Sequence, residues 1–129
     1  MKEIKLSAKS IEETVRQIQQ HIGGTISEQF GEYTLDIDNE IAKGCIRFIT
    51  FDWGVSLTEH NLIYFKDMLF VSDTKKFNPI HFIYCSKGSM YHRFSYEDEF
   101  NQISEFHSGI LASKKSVSHN TFFPKGQHL

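Results

Sequence analysis

Two segments, YTLDIDNE (Tyr33–Glu40) and CIRFITFDWGVSL (Cys45–Leu57), decide the fold class of this chain. In the first segment apolar and polar residues alternate, which places the apolar side chains on one face of an extended strand. The same alternation continues through Ile46 and Phe48 in the second segment, where further apolar residues make the opposite face partly apolar as well. The two segments therefore predict strands of a β protein, the second of them covered on both faces.

Composition indicates one folded, soluble domain over residues 1–129. Aromatic residues make up 14% of the chain, twelve of them Phe, and there are only two Pro. Fourteen basic and sixteen acidic residues give a net charge of -2, so we expect no direct DNA binding by this segment. The longest apolar runs are far shorter than the ~20 residues that a membrane helix needs, which predicts no membrane partner.

The two cysteines, Cys45 and Cys85, stand outside any CxxC spacing. The chain carries no recognisable signal peptide, and two distant cysteines in such a chain more often stay reduced than form a disulfide. We therefore expect a cytoplasmic protein.

The stretch SIEETVRQIQQHIGG predicts one amphipathic helix over about residues 10–22. Ser10 and Glu13 have the spacing of a capping box, and Gly23 suits the left-handed position that ends a helix. Apolar residues recur at helical spacing at Ile11, Val15, Ile18 and Ile22. We expect this face to pack on the body of the domain.

The remaining strand candidates are bounded by polar, Gly or Pro residues. They cover residues 61–71, 80–86, 90–95, 101–112 and 119–123. Seven or so short strands predict an antiparallel barrel or sandwich with the helix laid on one end. The ending TFFPKGQHL reads as a strand, a turn and the start of another strand, so we expect the chain to be the front part of a longer protein.

The stretch HFIYCSKGSMYHRFS (His81–Ser95) poses the main functional question. The residues Lys87-Gly88-Ser89 form a natural tight turn, so the stretch predicts a β-hairpin with half-buried aromatic side chains. The alternative is a ligand set that uses its two histidines. We favour the hairpin.

Motifs for chemistry are weak throughout the chain. The seven histidines stand singly, without HxH, HExxH or CxxC neighbours, although a metal site could still assemble from distant residues. No Ser lies in GxSxG, and the acidic run Glu97–Glu99 reads as a solvated turn. We predict no catalytic residue, no metal site and no cofactor.

A small barrel could instead hold a small organic ligand between aromatic rings and a few polar groups. The alternative is that the same rings fill the barrel completely. His81 is a further polar candidate near such a site. The candidate lining residues are Arg47, Phe48, Trp53, Tyr64, Phe82, Tyr84, His92 and Phe94.

The order of these motifs over residues 10–129 resembles the amino-terminal domain of AraC-type transcriptional regulators, particularly those common in Bacteroidetes. The matching positions are strand and turn residues. They are Gly44 in AKGCIRF, Asp52-Trp53-Gly54, Phe82 with Gly88 and His92 in HFxxxxxGxxxHxF, Ile110-Leu111-Ala112-Ser113, and Phe123-Pro124.

The resemblance implies a cupin-like antiparallel β-barrel or sandwich with one amino-terminal helix, which senses a small-molecule effector and can form a homodimer. It implies control of transcription through a carboxy-terminal helix-turn-helix domain, which this sequence lacks. The sequence also lacks the GxxxxxHxH motif of metal-dependent cupin enzymes, since Gly88 is followed by the single His92.

Three hypotheses remain at this point. The first is the sensory and oligomerisation domain, which needs no catalytic residue. The second is a cupin-type metal-dependent enzyme that uses His81, His92 or His107 as ligands. The third is an interaction domain with a filled barrel and no ligand.

Overall fold

A computed structural model describes residues 1–7, 10–51, 55–73, 80–112 and 118–128. Within these ranges the chain is mainly β, as predicted, and contains one helix. In chain order the elements are β1 (Lys2–Leu6), α1 (Ile11–Ile22), β2 (Thr25–Gln29), β3 (Glu32–Asp38), β4 (Ala42–Thr50), β5 (Ser56–Tyr64), β6 (Met68–Ser72), β7 (His81–Tyr84), β8 (Met90–Phe94), β9 (Asn101–Ile103), β10 (Ser108–Leu111) and β11 (His119–Phe123).

The predicted helix is confirmed. The Ser10 hydroxyl accepts a hydrogen bond from the Glu13 amide at 3.2 Å, which satisfies one free donor of the first turn. At the other end, Gly23 has φ 86° and its amide donates to the Gln19 carbonyl at 2.7 Å. Val15, Ile18 and Ile22 are buried, so the apolar face packs on the domain.

The first sheet is a four-stranded antiparallel meander, β2-β3-β4-β5. The predicted alternation is confirmed, because Leu35, Ile37, Ile46 and Phe48 are buried on one face. The segment 45–57 is not one strand, however: β4 ends at Thr50 and the chain returns antiparallel as β5. Apolar residues stand in both β4 and the segment that follows it, so the periodicity of the sequence does not show where the first strand ends.

The second sheet has five strands in the order β1-β6-β11-β8-β9. β1 pairs parallel with β6, and the other pairs are antiparallel. The predicted strand 61–71 spans two elements of different sheets, because the chain turns between Tyr64 and Met68. The predicted turn after β11 is confirmed: Gly126 donates to the Tyr64 carbonyl at 2.8 Å, and His128 forms a bridge with Ile63.

The third sheet consists of β7 and β10 alone among the described strands. The hairpin predicted for His81–Ser95 is wrong, because β7 pairs with β10 whereas β8 pairs with β11 and β9. The chain crosses between sheets at 85–89, where the Cys85 amide donates to the His107 carbonyl at 3.0 Å and Ser89 bonds to the Gln127 side chain. The predicted strand 101–112 is likewise divided into β9 and β10 by a turn.

The core lies between the first and second sheets and beneath α1. Its members are Ile4, Val15, Ile18, Ile22, Leu35, Ile37, Ala42, Ile46, Phe48, Leu62, Tyr64, Met68, Phe70 and Phe123. Among the described strands no ladder joins the three sheets into a closed barrel. No helix in the described ranges combines the length and the hydropathy needed to cross a membrane.

Candidate functional site

Two histidines lie side by side on the inner face of the five-stranded sheet. Period-two alternation along β8 and β11 places His92 and His119 on the face that also carries buried Phe123. They are 1% and 8% exposed, and His92 Nε2 lies 3.2 Å from His119 Nδ1, which is a hydrogen bond. Each imidazole thus replaces part of the hydration that the other lost on burial.

A third imidazole reaches the pair from the two-stranded sheet. His81 is the first residue of β7, and its ring centroid is 4.7 Å from that of His119. The centroids of His92 and His119 are 5.2 Å apart. We call His81, His92 and His119 the histidine cluster; it joins strands of two different sheets.

Burial keeps the histidine cluster uncharged at neutral pH. Loss of hydration lowers the pKa of all three rings, to about 4 for His92 and about 3 for His119. Repulsion from His81 adds to the lowering at both His92 and His119, whereas the carboxylate of Glu97 opposes it at His92. A neutral imidazole carries one donor and one acceptor nitrogen, so the shared hydrogen bond couples the tautomers of His92 and His119.

Two nitrogens of the cluster, His81 Nε2 and His119 Nε2, are buried without a hydrogen-bond partner among the described residues. If His92 donates to His119 Nδ1, then His119 Nε2 carries a proton and can donate; in the opposite tautomer it can accept. The cluster can therefore bind either a donor or an acceptor. Within the described part of the chain, no group of three or more His, Cys, Asp or Glu residues is arranged to hold a metal ion.

A second group of polar side chains lies between the two large sheets. His60 and Tyr64, both on β5, contact the Phe123 ring at centroid distances of 5.0 and 5.7 Å. In the part of the chain that the structure describes, His60 Nδ1 and the Tyr64 hydroxyl have no hydrogen-bond partner. Burial lowers the pKa of His60 to about 4 and raises that of Tyr64. This pair belongs to the aromatic core.

The structure separates the residues that the sequence grouped as a barrel lining. Phe48 and Tyr64 are core residues. Arg47 lies on the opposite face of β4, where it forms ion pairs with Glu32 at 3.4 Å and Glu59 at 3.7 Å. Its predicted position in the lining is wrong, because alternation puts it on the side away from Ile46 and Phe48.

The other predicted lining residues also divide. Phe82 and Tyr84 are 77% and 64% exposed, on the face of β7 away from His81, so their predicted place in the lining is wrong too. Phe94 lies against His92, with ring centroids 4.9 Å apart, and these two keep interior positions. Trp53 lies outside the described residues.

Of the histidines proposed as alternative ligands, the structure brings together His81 and His92 but not His107. His107 is exposed, and its Nδ1 atom lies 2.9 Å from the Glu105 carbonyl oxygen. Sequence reasoning missed His119 and His60. The available signal was strand alternation, since His119 stands four residues before Phe123 and so shares its face.

A groove on the surface of the meander is another candidate site. It is open, has a volume of about 920 Å³, and its lining mixes the charged residues Asp36, Asp38 and Lys43 with apolar residues such as Ile37 and Ile63. Such a lining differs from the mostly apolar, enclosed pockets that hold small organic ligands. We therefore take the histidine cluster as the candidate functional site.

Comparison with protein-family models, with curated proteins and with solved structures found no match to this chain.

Proposed function

We propose that this chain is the ligand-sensing and oligomerisation domain of an AraC-type transcriptional regulator that works in the cytoplasm. DNA is bound through a carboxy-terminal helix-turn-helix domain that this sequence does not include. An effector that binds one arrangement of the domain more tightly shifts the arrangement of the attached DNA-binding units. This action needs no catalytic residue.

The observation that carries this proposal is the nested order of strand pairs. β8 pairs with β9, β7 with β10, and β6 with β11, so each later strand returns beside an earlier one. Such nesting arises when a long antiparallel ribbon winds into a jelly roll, the architecture of cupins. It supports the cupin-like domain that the resemblance to AraC-type regulators implies.

Oligomerisation is supported by an exposed apolar strip on β7 and β10, formed by Ile80, Phe82, Tyr84 and Ile110. All four side chains are more than half exposed, and Phe82 stands directly opposite Ile110 across the ladder. Large apolar side chains that adjoin one another on a surface are typical of protein interaction sites. We propose a second copy of this chain as the partner, because an uncharged strip can face its own symmetry mate without like-charge repulsion.

Ligand sensing is supported by the histidine cluster. A few buried polar atoms within an apolar interior are typical of small-molecule sites, where they set the orientation of the ligand. His81 Nε2 and His119 Nε2 are such atoms. We propose that they contact the effector, in place of the exposed aromatic residues that the sequence suggested.

Fusion to a DNA-binding domain that represses a reporter gene only as a dimer tests the oligomerisation role. We expect the fusion with residues 1–129 to repress, and the double substitution Phe82→Lys and Ile110→Lys to abolish repression. Phe30→Lys is the matched control, because Phe30 is exposed in the turn between β2 and β3, away from the strip. A fusion that represses equally well with the double substitution contradicts the proposed interface.

The runner-up function is a cupin-type metal-dependent enzyme that uses His81 and His92. Metal analysis of the purified protein separates the two functions: we expect no stoichiometric metal, and no change in metal content on replacing His92 by Ala. His21→Ala, on the exposed end of α1, is the control. Bound metal that is lost only in the His92 variant would establish the enzyme reading instead.

A further inference from the structure

We propose that the histidine cluster is an acid-sensitive latch that holds the β7–β10 sheet against the five-stranded sheet, and that acidification releases β7–β10 while the rest of the domain stays folded. This inference goes beyond the sensing role and does not depend on it. It rests on how β7–β10 is attached and on what surrounds the three rings.

Among the described residues, the attachment of β7–β10 to the five-stranded sheet depends on side chains. Among the described strands no backbone ladder joins β7 or β10 to another sheet. Phe82, Tyr84 and Ile110 point outward and are exposed, so they add nothing to the attachment. Alternation leaves an inward face of His81, Ile83, Gly109 and Leu111, which is only partly buried.

The centre of this attachment is the contact between His81 and His119. Their ring centroids are 4.7 Å apart, and the hydrogen bond between His119 and His92 continues the contact into the five-stranded sheet. Gly109 also lies close to the five-stranded sheet: a Cβ atom built at Gly109 would be 3.6 Å from the Ile103 side chain on β9. A small element held by few buried contacts is the kind of unit that opens locally before the whole domain unfolds.

Positive charge on the three rings weakens the latch because few negative groups among the described residues lie near enough to neutralise that charge. The charges that act on the cluster from the described residues are those of its own members, on β7, β8 and β11, and that of Glu97 after β8. The Glu97 carboxylate already accepts hydrogen bonds from the Phe94 amide at 2.9 Å and from Asn101 at 3.3 Å. One carboxylate cannot neutralise three adjacent imidazolium groups.

The direction of the pH effect follows from the lowered pKa of these histidines. A ring in water takes up a proton near pH 6.5, whereas the buried ring of His119 does so only near pH 3. The stabilisation that the neutral His119 ring gives to the attached state of β7–β10 is therefore complete above pH 6.5. It is lost as the pH falls toward 3. Separation of β7–β10 hydrates His81 and His119 and leaves the β8–β11 ladder intact. Two of the three charged rings thus regain contact with water without the breaking of a large sheet.

The two cysteines provide the measurement. Cys85 follows β7 directly, is buried, and has its amide bonded to the β10 side at His107. Cys45 lies on β4 in the meander and serves as the internal reference for the reagent. A disulfide reagent that reacts at low pH is applied at pH 7.5 and pH 5, and mass spectrometry gives the labelling rate of each cysteine. We expect the ratio of the Cys85 rate to the Cys45 rate to rise roughly 30-fold from hydration of the His119 ring alone, with an unchanged far-UV spectrum.

Three variants test the assignment. His119→Phe keeps an aromatic ring but cannot be protonated, so we expect it to reduce the rise strongly. His81→Phe removes only the contribution of His81, so a rise of roughly 30-fold from His119 should remain. His60→Phe is the matched control, because loss of hydration also lowers the pKa of His60 to about 4 but its ring packs against Phe70 and Phe123 between the large sheets; the rise should persist.

A constant labelling ratio in the native protein, with the far-UV spectrum preserved at pH 5, overturns the proposal even if a variant fails to fold. If the far-UV signal and the protection of Cys85 are lost at the same pH, acid unfolds the whole domain. That outcome also overturns the proposal. If His60→Phe abolishes the rise as fully as His119→Phe does, the effect reflects the stability of the whole domain. That outcome also overturns the latch.

Discussion

At the scale of single residues, Gly44 shows how closely β4 and β5 approach each other. Its φ is 136°, and a Cβ atom built there would lie 2.3 Å from the Asn61 carbonyl oxygen and 2.5 Å from Leu62 Cα. Both obstacles are backbone atoms, so they cannot move aside as a flexible side chain would. The residue before Cys45 must therefore be glycine for the central ladder of the meander to form.

Gly44→Ala should destabilise the domain by about 1–3 kcal/mol through overpacking and backbone strain. Gly31→Ala is the control, because Gly31 also has positive φ but no atom within 4 Å of the added Cβ. Its cost should be smaller, about 1 kcal/mol. Urea unfolding of the two variants measures the difference, and equal midpoints would contradict the steric explanation.

At the scale of elements, the Asn39 side chain connects α1 to the turn between β3 and β4. Its Nδ2 donates to the Ile22 carbonyl at 2.9 Å, and its Oδ1 accepts from the Ile41 and Ala42 amides at 2.8 and 3.2 Å. The helix end would otherwise leave that carbonyl without an intrahelical partner. One amide side chain thus fixes where the helix lies relative to the meander.

Asn39→Ala removes all three hydrogen bonds, and we expect it to lower the free energy of unfolding by about 1–2 kcal/mol. Asn39→Asp keeps the acceptor oxygens but loses the donor to Ile22, so it separates the turn from the helix contact. Glu12→Ala, which breaks only the exposed pair with Arg16, should change stability by less than about 0.5 kcal/mol. Thermal unfolding of the three variants provides the test; an Asn39→Ala effect no larger than that of Glu12→Ala would show that the connection is dispensable.

At the scale of the whole molecule, Tyr64 joins the two large sheets. Its fully buried ring, on β5, contacts Phe70 on β6 and Phe123 on β11, with centroids 6.1 and 5.7 Å away. A single aromatic core shared by both sheets should make them unfold together. The Tyr64 hydroxyl has no hydrogen-bond partner within the described ranges, so it lowers the stability that the ring provides.

Tyr64→Phe should therefore leave stability unchanged or raise it by up to about 1 kcal/mol, whereas Tyr64→Ala should cost about 3–5 kcal/mol. In both variants near-UV and far-UV circular dichroism should report one coincident transition. A clear loss of stability in Tyr64→Phe would mean that the hydroxyl is satisfied by bound water, and two separate transitions would mean that the sheets unfold independently.

Local patterns in the sequence predicted the local structure well. Ser10, Glu13 and Gly23 marked the helix correctly, because capping depends on neighbouring residues. Alternation identified the buried faces of β3 and β4. β1 was missed because it is a short edge strand, and Leu6 is one of only two apolar residues within it.

The candidate site was harder to predict than the elements. His92 was selected, but its partner His119 lies twenty-seven residues further along and carries no motif. The residues Lys87-Gly88-Ser89 looked like a hairpin turn, and Gly88 does adopt φ 69°. The turn nevertheless carries the chain from one sheet to another, since the partner of β7 comes from a distant segment.

The sequence by itself determined the mainly β class, the single helix with its cap, and which side chains alternate inward on the long strands. Each of these depends on spacing within a few residues. Only the tertiary structure decided that β7 pairs with β10, and hence that His81 meets His119. The physical reason is that every strand edge offers the same backbone donors and acceptors, so the choice of partner depends on how all the strands pack together and not on a local pattern.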